Sequence, residues 1–218
     1  MSVVTKENVL PRGARKRERT RGELVAAAER LVAARGLDAI SIDEITEEAD
    51  VAKGTFYTHF ADKDDLAAAV ARTIRLELEA RVTATNEGVT DAAVRMANGL
   101  SSLFAFAIAQ PVRARALLRL IPGIVDPETP INAGIRGDVA LGLKQKRFAV
   151  VSVNTAVVTT IGIAMSAGMH LSERTGASAF AFASEFVATA LVALGLKQVE
   201  ATRLAKAAMK SRKKELAQ

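Results

Sequence analysis

Val51-Ala-Lys-Gly-Thr-Phe-Tyr-Thr-His-Phe-Ala-Asp-Lys-Asp-Asp-Leu66 decides the fold of this chain. Phe56 and Phe60 fall one helical turn apart and form an apolar side. Lys53, Gly54, Tyr57 and Thr58 fall opposite them, with Thr55 at the edge. The spacing predicts a short helix over residues 52–60, phenylalanines inward and a small, hydroxylic, basic face outward. Gly54 costs about 1 kcal/mol against Ala inside a helix. Its use is that a surface without a side chain lets another body approach the backbone closely. The Thr55 and Tyr57 hydroxyls and the Lys53 ammonium can bond phosphates or base edges. His59 reads equally as a packed or capping histidine and as a phosphate contact.

Outward from this stretch the signals agree. Thr20-Arg-Gly-Glu23 reads as a capping box opening a first helix, with Leu24, Ala28, Leu31 and Val32 on its inner face and Gly36 as its stop. Ser41-Ile-Asp-Glu44 is a second box, and Ile42, Ile45 and Ala49 make the stripe of a second helix. Asp50-Val51 is a tight turn with Val51 as its inward plug. Asp62-Lys-Asp-Asp65 caps a fourth helix with carboxylates suited to the positive helix end. Two short helices across a tight turn form a helix-turn-helix, with a core of Leu24, Leu31, Ile40, Ile45, Val51, Phe56 and Phe60. Ser41 caps its helix and can face a duplex backbone; Lys63 can meet a phosphate at a helix start.

Composition sets the wider frame. The chain has 218 residues, half of them hydrophobic but only 4% aromatic, with no Trp. Its abundant Ala and Leu favour helix, so an all-α protein is expected. The absence of Cys excludes disulfides and thiolate metal sites, and two histidines make a His-rich metal site an unlikely design. No metal or cofactor is expected. The net charge of +6 is concentrated. Residues 12–21 hold Arg12, Arg15, Lys16, Arg17, Arg19 and Arg21 against Glu18 alone. Residues 1–19 are read as a flexible basic arm, suited to phosphate from residue 12 onward. The first twenty residues hold no apolar signal core, which reads as cytoplasmic. Asp43, Glu44, Glu47 and Glu48 lack a nearby His and read as a solvated helix face, not as an active site; the chain is expected not to be an enzyme.

Beyond residue 66 a larger helical unit is expected over residues 67–218. The fourth helix runs through Ile74, Leu78 and Val82. Gly88 ends it, Thr90-Asp91 caps a fifth, Pro111 starts a sixth, and a Pro-rich loop occupies residues 122–130. Ile131, Ile135, Val139 and Leu143 mark a seventh helix. Residues 148–170 carry no charge before His170, and residues 177–194 are nearly as apolar. The first stretch is long enough for a bilayer, but its Ser, Thr and Asn residues argue against a membrane. Two such helices are better buried against their copies in a twofold four-helix bundle. A ligand pocket is expected among Met96, Phe104, Ile108, Leu117, Ile121, Met165 and Met169, with Arg95, Asn98, Asn154 and His170 as polar candidates. A Met and Phe stripe is more often plain core. The basic C-terminal helix, apolar at Ala201, Leu204, Ala205, Ala208 and Met209, leaves an alternative: a helical adaptor docking on a partner.

Residues 20–66 resemble the DNA-binding domain of the TetR family of bacterial transcriptional regulators. The resemblance rests on the first helix, on Ser41-Ile-Asp-Glu-Ile, on Lys53-Gly-Thr-Phe-Tyr-Thr-His-Phe, and on Ala-Asp-Lys-Asp-Asp-Leu66. It implies an all-α homodimer with an N-terminal helix-turn-helix domain and a C-terminal ligand-binding and dimerisation domain. It also implies a regulator, usually a repressor, that leaves a palindromic double-stranded operator when a small-molecule effector binds. The positions it assigns to DNA are Ser41, Lys53, Gly54, Thr55, Tyr57, Thr58, His59 and Lys63. Two residues depart from the family pattern: Asp50 stands where Gly is usual, and Ala52 where a capping Ser is common.

Overall fold

The computed structural model describes residues 11–120, 126–128 and 132–217. They form α1 (Arg12–Arg35), α2 (Ile42–Glu48), α3 (Lys53–Phe56), α4 (Lys63–Thr85), α5 (Ala92–Ala109), α6 (Pro111–Leu120), α7 (Ala133–Lys144), α8 (Val153–Leu171), α9 (Ala177–Ala193) and α10 (Gln198–Glu215). Among the described residues there is no strand. The expected Ile131 and the Pro-rich segment lie largely outside the described residues, as do residues 1–10.

Helix α1 corrects the expected start. It begins at Arg12 after Pro11, so Thr20 caps nothing and residues 12–19 are helix, not a flexible arm. Pro suits a helix start, and Arg, Lys and Ala propagate helix well, so nothing stops the first turns from forming. Glu23 pairs with Arg19 at 3.1 Å instead of closing a box. The stop at Gly36 holds, with φ at +83°.

The turn between α2 and α3 is a Schellman motif. Val51 N–H donates to Thr46 O at 3.0 Å and Asp50 N–H to Glu47 O at 3.1 Å. Its left-handed position is Asp50, φ +53°, a conformation a short polar side chain tolerates better than most. The motif recurs after α7 with Lys146 (φ +56°) and after α9 with Gly195 (φ +97°). Beyond Phe56, α3 tightens. Thr58 N–H bonds Thr55 O and His59 N–H bonds Phe56 O, three residues back, so only four residues are α-helical where nine were expected.

The expected N-terminal core forms. Leu24, Ile45 and Phe56 are fully buried, Ile40 and Phe60 nearly so, and Leu31 and Val51 pack half-buried against them. Helix α5 is the axis of the rest, touching α4, α6, α7, α8, α9 and α10. It is also the one helix, among the described residues, long and apolar enough to cross a membrane, and most of it is buried within the bundle. Helix α8 starts later than expected, because Ser152 caps it by accepting Thr155 N–H. Phe148 lies ahead of it, its ring filling the space over Gly142, where a Cβ would collide with the ring. In α10, Ala201, Leu204, Ala205, Ala208 and Met209 are buried against α5 and α9. The face on which the adaptor alternative depends is therefore already occupied.

Asp50→Gly is expected to stabilise the protein. The left-handed strain relieved is roughly 1–2 kcal/mol for an L residue, against roughly 0.5–1 kcal/mol of extra backbone entropy for Gly. A thermal midpoint a few degrees higher is the expected reading; a lower one would mean the Asp50 carboxylate contributes more than its backbone costs.

Candidate nucleic-acid interface and effector cavity

Helix α3 is presented by a frame fixed from both sides. On α2, Ser41 Oγ accepts Glu44 N–H at 3.2 Å while Glu44 Oε2 accepts Ser41 N–H at 2.8 Å. Glu44 also meets Arg35 at 2.7 Å. Arg35 first, then Ser41, hold the Glu44 carboxyl down to about 2. On the other side, Asp62 caps α4 by accepting Asp65 N–H, and Asp65 accepts Ala61 N–H in return.

Between these braces α3 shows its outer face. Lys53, Gly54, Tyr57 and Thr58 are exposed, and Thr55 is half-buried at the edge as expected. A Cβ on Gly54 would meet nothing in the protein. The fold therefore does not require a glycine there, and its smallness is available to an outside surface. Tyr57 is 55% exposed, its ring resting edge-on against Phe56. Lys53 Nζ sits 2.7 Å from Asp43 Oδ1, and that contact raises its pKa. His59 is half-buried; burial, then Arg17 and Arg21, push its pKa down.

Lys63 is placed differently from the expectation. Its Nζ donates to Leu37 O and Ile40 O, each at 2.8 Å, pinning the loop between α1 and α2 onto α4. Two of its three donors serve the fold, which leaves one for any phosphate. Two side chains of the basic run, expected at phosphate, instead lie against this segment. Arg17 Nη2 donates to Thr58 O at 3.1 Å, and the Arg21 guanidinium lies 4.9 Å over the Phe60 ring. Their spacing, one helical turn apart, puts both on the side of α1 that meets this segment.

A cavity of about 980 Å³ opens between α4, α5, α6, α7 and α8. Of the residues expected to line it, Met96, Leu117 and Met165 do. Phe104 instead packs on Phe186 at 6.3 Å. Ile108 and Met169 lie off the lining, and Ile121 falls outside the described residues. The missed wall is α4, through Leu78 and Val82, with Leu100 and Leu103 from α5. Of the polar candidates only Arg95 lines the cavity. It bonds Asp138 at 2.6 Å and sits beside Asn86, making one polar end. Asn98 donates to Asn86, Asn154 accepts from Arg136, and His170 lies among Phe182 and Phe186.

Helix α6 connects the cavity to α1 and α4. Leu117 and Leu118 face the cavity. From the same helix Arg113 bonds Glu77 of α4 at 2.7 Å and approaches Glu29 of α1 at 3.3 Å, and Arg119 Nη1 donates to Val32 O of α1. Arg115 reaches the other way, to Ser172 O beyond α8.

Residues 24–70 match the family model described as bacterial regulatory proteins, tetR family. Over that segment the chain is tetR-like. Members of this family are DNA-binding regulators, not enzymes. The chain is similar to solved structures along most of its length. It shares 27% identity with RolR in complex with resorcinol, over 88% of this chain and 95% of that one, at a TM-score of 0.58. A tetR-family regulatory protein from Rhodococcus RHA1 is 20% identical over 82% and 98%, with a TM-score of 0.64. A γ-butyrolactone receptor, an ArpA-like protein, is 18% identical over 90% and 99%, with a TM-score of 0.70. These last two show a shared fold. No curated protein matches the sequence.

The joint at Arg113 has a defined pH dependence. Burial raises the Glu29 pKa although Arg113 opposes it, so Glu29 adds stability below its ordinary value of 4.5 and withdraws it as pH rises through the raised value. Glu77 is lowered, first by Arg113, so it adds stability above 4.5 and loses it as pH falls through the lowered value. Arg113→Ala leaves two half-buried carboxylates without their cation. The expected loss is on the order of 1–3 kcal/mol near neutral pH, shrinking as both protonate in acid. Urea denaturation at the two pH values measures it; an equal loss at both would mean that Arg113 acts by packing alone.

Proposed function

We propose that this chain is a TetR-family transcriptional repressor that binds a palindromic operator as a homodimer and leaves it when a small, mainly apolar effector enters the cavity. One observation carries the reading: α6 is at once a wall of the cavity and the bracket that holds α1. An effector that prefers one position of α6 thereby prefers one position of the reading domain, and operator affinity shifts by that difference.

On this reading residues 20–66 read DNA and residues 67–218 bind effector and partner. Ser41, Lys53, Gly54, Thr55, Tyr57, Thr58 and His59 face the duplex, with Lys63 contributing its one remaining N–H. The recognition helices of the two protomers enter successive major grooves, which sets half-sites about one helical turn apart. The site of action is the cytoplasm. The outer faces of α8 and α9 support the homodimer. Val158, Phe182 and Val192 are each more than a third exposed, and among their exposed neighbours on these helices only Glu185 is charged. Covering this stripe with its twofold copy makes a four-helix bundle. RolR, whose ligand is resorcinol, supports a small ring with hydroxyl groups as the effector class here. The apolar walls would take the ring, and the Asn86, Arg95 and Asp138 end would take the hydroxyls.

Lys53→Ala/Tyr57→Ala is expected to abolish footprint protection on an inverted repeat beside the gene while the dimer persists in gel filtration. Normal protection by the double variant would sink this assignment of α3. Leu103→Trp, which puts an indole into the cavity beside the effector's expected place, is expected to keep operator binding and weaken release by effector. Unchanged release would place the effector elsewhere.

A further inference from the structure

The first two turns of α1 are unexplained by the fold. Every residue of 11–19 is exposed, and none is a large apolar side chain. The helix has no side-chain N-cap and no acid in its first turn. Arg12, Arg15 and Lys16 stand at its positive end, where the helix dipole opposes cations. A helix segment that is polar all round gains nothing from burial in its own core, and this one presents charge that an anion complements.

Its placement selects the anion. At about 100° per residue, Arg17 and Arg21 share one side, and both grip the reading helix, through Thr58 O at 3.1 Å and the Phe60 ring at 4.9 Å. Arg12, Arg15, Lys16 and Arg19 form a stripe on the opposite side. Of these four only Arg19 has an ion-pair partner among the described residues, Glu23, at 3.1 Å. The extension therefore lies beside α3 and turns its basic stripe away from it, with eight residues, roughly 12 Å, of rigid reach.

We infer that residues 12–19 are a helical phosphate clamp, gripping the DNA backbone just outside the segment that α3 reads. The inference rests on the DNA-binding reading of α3 and adds to it a contact that carries no sequence information. Arg17 and Arg21 dock the clamp to the reading helix. The free stripe of Arg12, Arg15 and Lys16 meets phosphates flanking each half-site, so the bound segment is longer than the two grooves alone.

The test uses the full-length chain and a mixed-sequence duplex of about 40 base pairs, long enough for a dimer and its flanks. Arg12→Gln/Arg15→Gln/Lys16→Gln changes fully exposed side chains and leaves the grip on α3 in place. Wild type is expected to bind with a steep salt dependence. The triple variant should lose about 0.9 of log–log slope per phosphate contact removed, up to roughly 2.7 per protomer. Affinity should fall by the same factor on this duplex and on a duplex carrying the inverted repeat. Arg12→Lys/Arg15→Lys should restore the slope, because the contact reads charge alone. An unchanged slope in the triple variant, with Lys53→Ala/Tyr57→Ala still losing selection of the repeat, overturns the clamp and spares the reading helix. Wild type that binds neither duplex at low salt overturns both.

Discussion

Arg113 is the side chain on which the two halves of the molecule depend. It stands on α6, between Glu29 of α1 and Glu77 of α4, in a setting buried enough to raise one carboxylate's pKa and polar enough to lower the other's. A guanidinium is always charged and forks in a plane, so it can hold two helices at one fixed separation. The helices it joins are α1, the first of the N-terminal unit, and α4, which leads out of it, and the helix it stands on walls the cavity. Without such a joint, the hydrophobic cluster that runs continuously from Leu24 to Met209 would still fill space, but α6 and α1 could slide. Apolar contact is non-directional; a forked ion pair fixes the angle.

The cavity has a related asymmetry. Its walls are mainly aliphatic, and most of its charged lining groups are paired in advance, Arg95 with Asp138 beside Asn86 and Arg75 with Glu79 further along α4. A set of polar groups bonded in advance holds a fixed geometry without needing a ligand to order it. With most of its charges already paired, such a chamber discriminates by shape and by hydrogen bonding more than by net charge.

The helix-turn-helix was legible because its signals are local. A capping box, an Asp in a left-handed turn and two phenylalanines one turn apart are each read within a few residues, and Ser41, Asp50, Phe56 and Phe60 stand as expected. What failed was also physical. Thr20-Arg-Gly-Glu23 has the letters of a box, yet a box works only where the helix stops, and nothing in residues 12–19 stops it. Lys63 was given to phosphate because a basic residue at a helix start suggests an anion; its carbonyl partners, Leu37 and Ile40, lie more than twenty positions away. The cavity was hardest. Met96 and Leu117 face it and Phe104 does not, though all three belong to apolar helix faces, because periodicity tells inside from outside but not which of several neighbouring helices stands opposite.

Lys53 and Asp43 stay 2.7 Å apart at the tip of the reading helix. At a distance beyond the screening length of roughly 8–10 Å, such a pair presents no net charge. The tip of α3 is thus electrically silent to approaching DNA and speaks only on contact. Long-range attraction has to come from other cations, above all the stripe on α1. On the proposed reading, capture and reading fall to different helices, so the rate of encounter and the choice of sequence can be altered independently of each other.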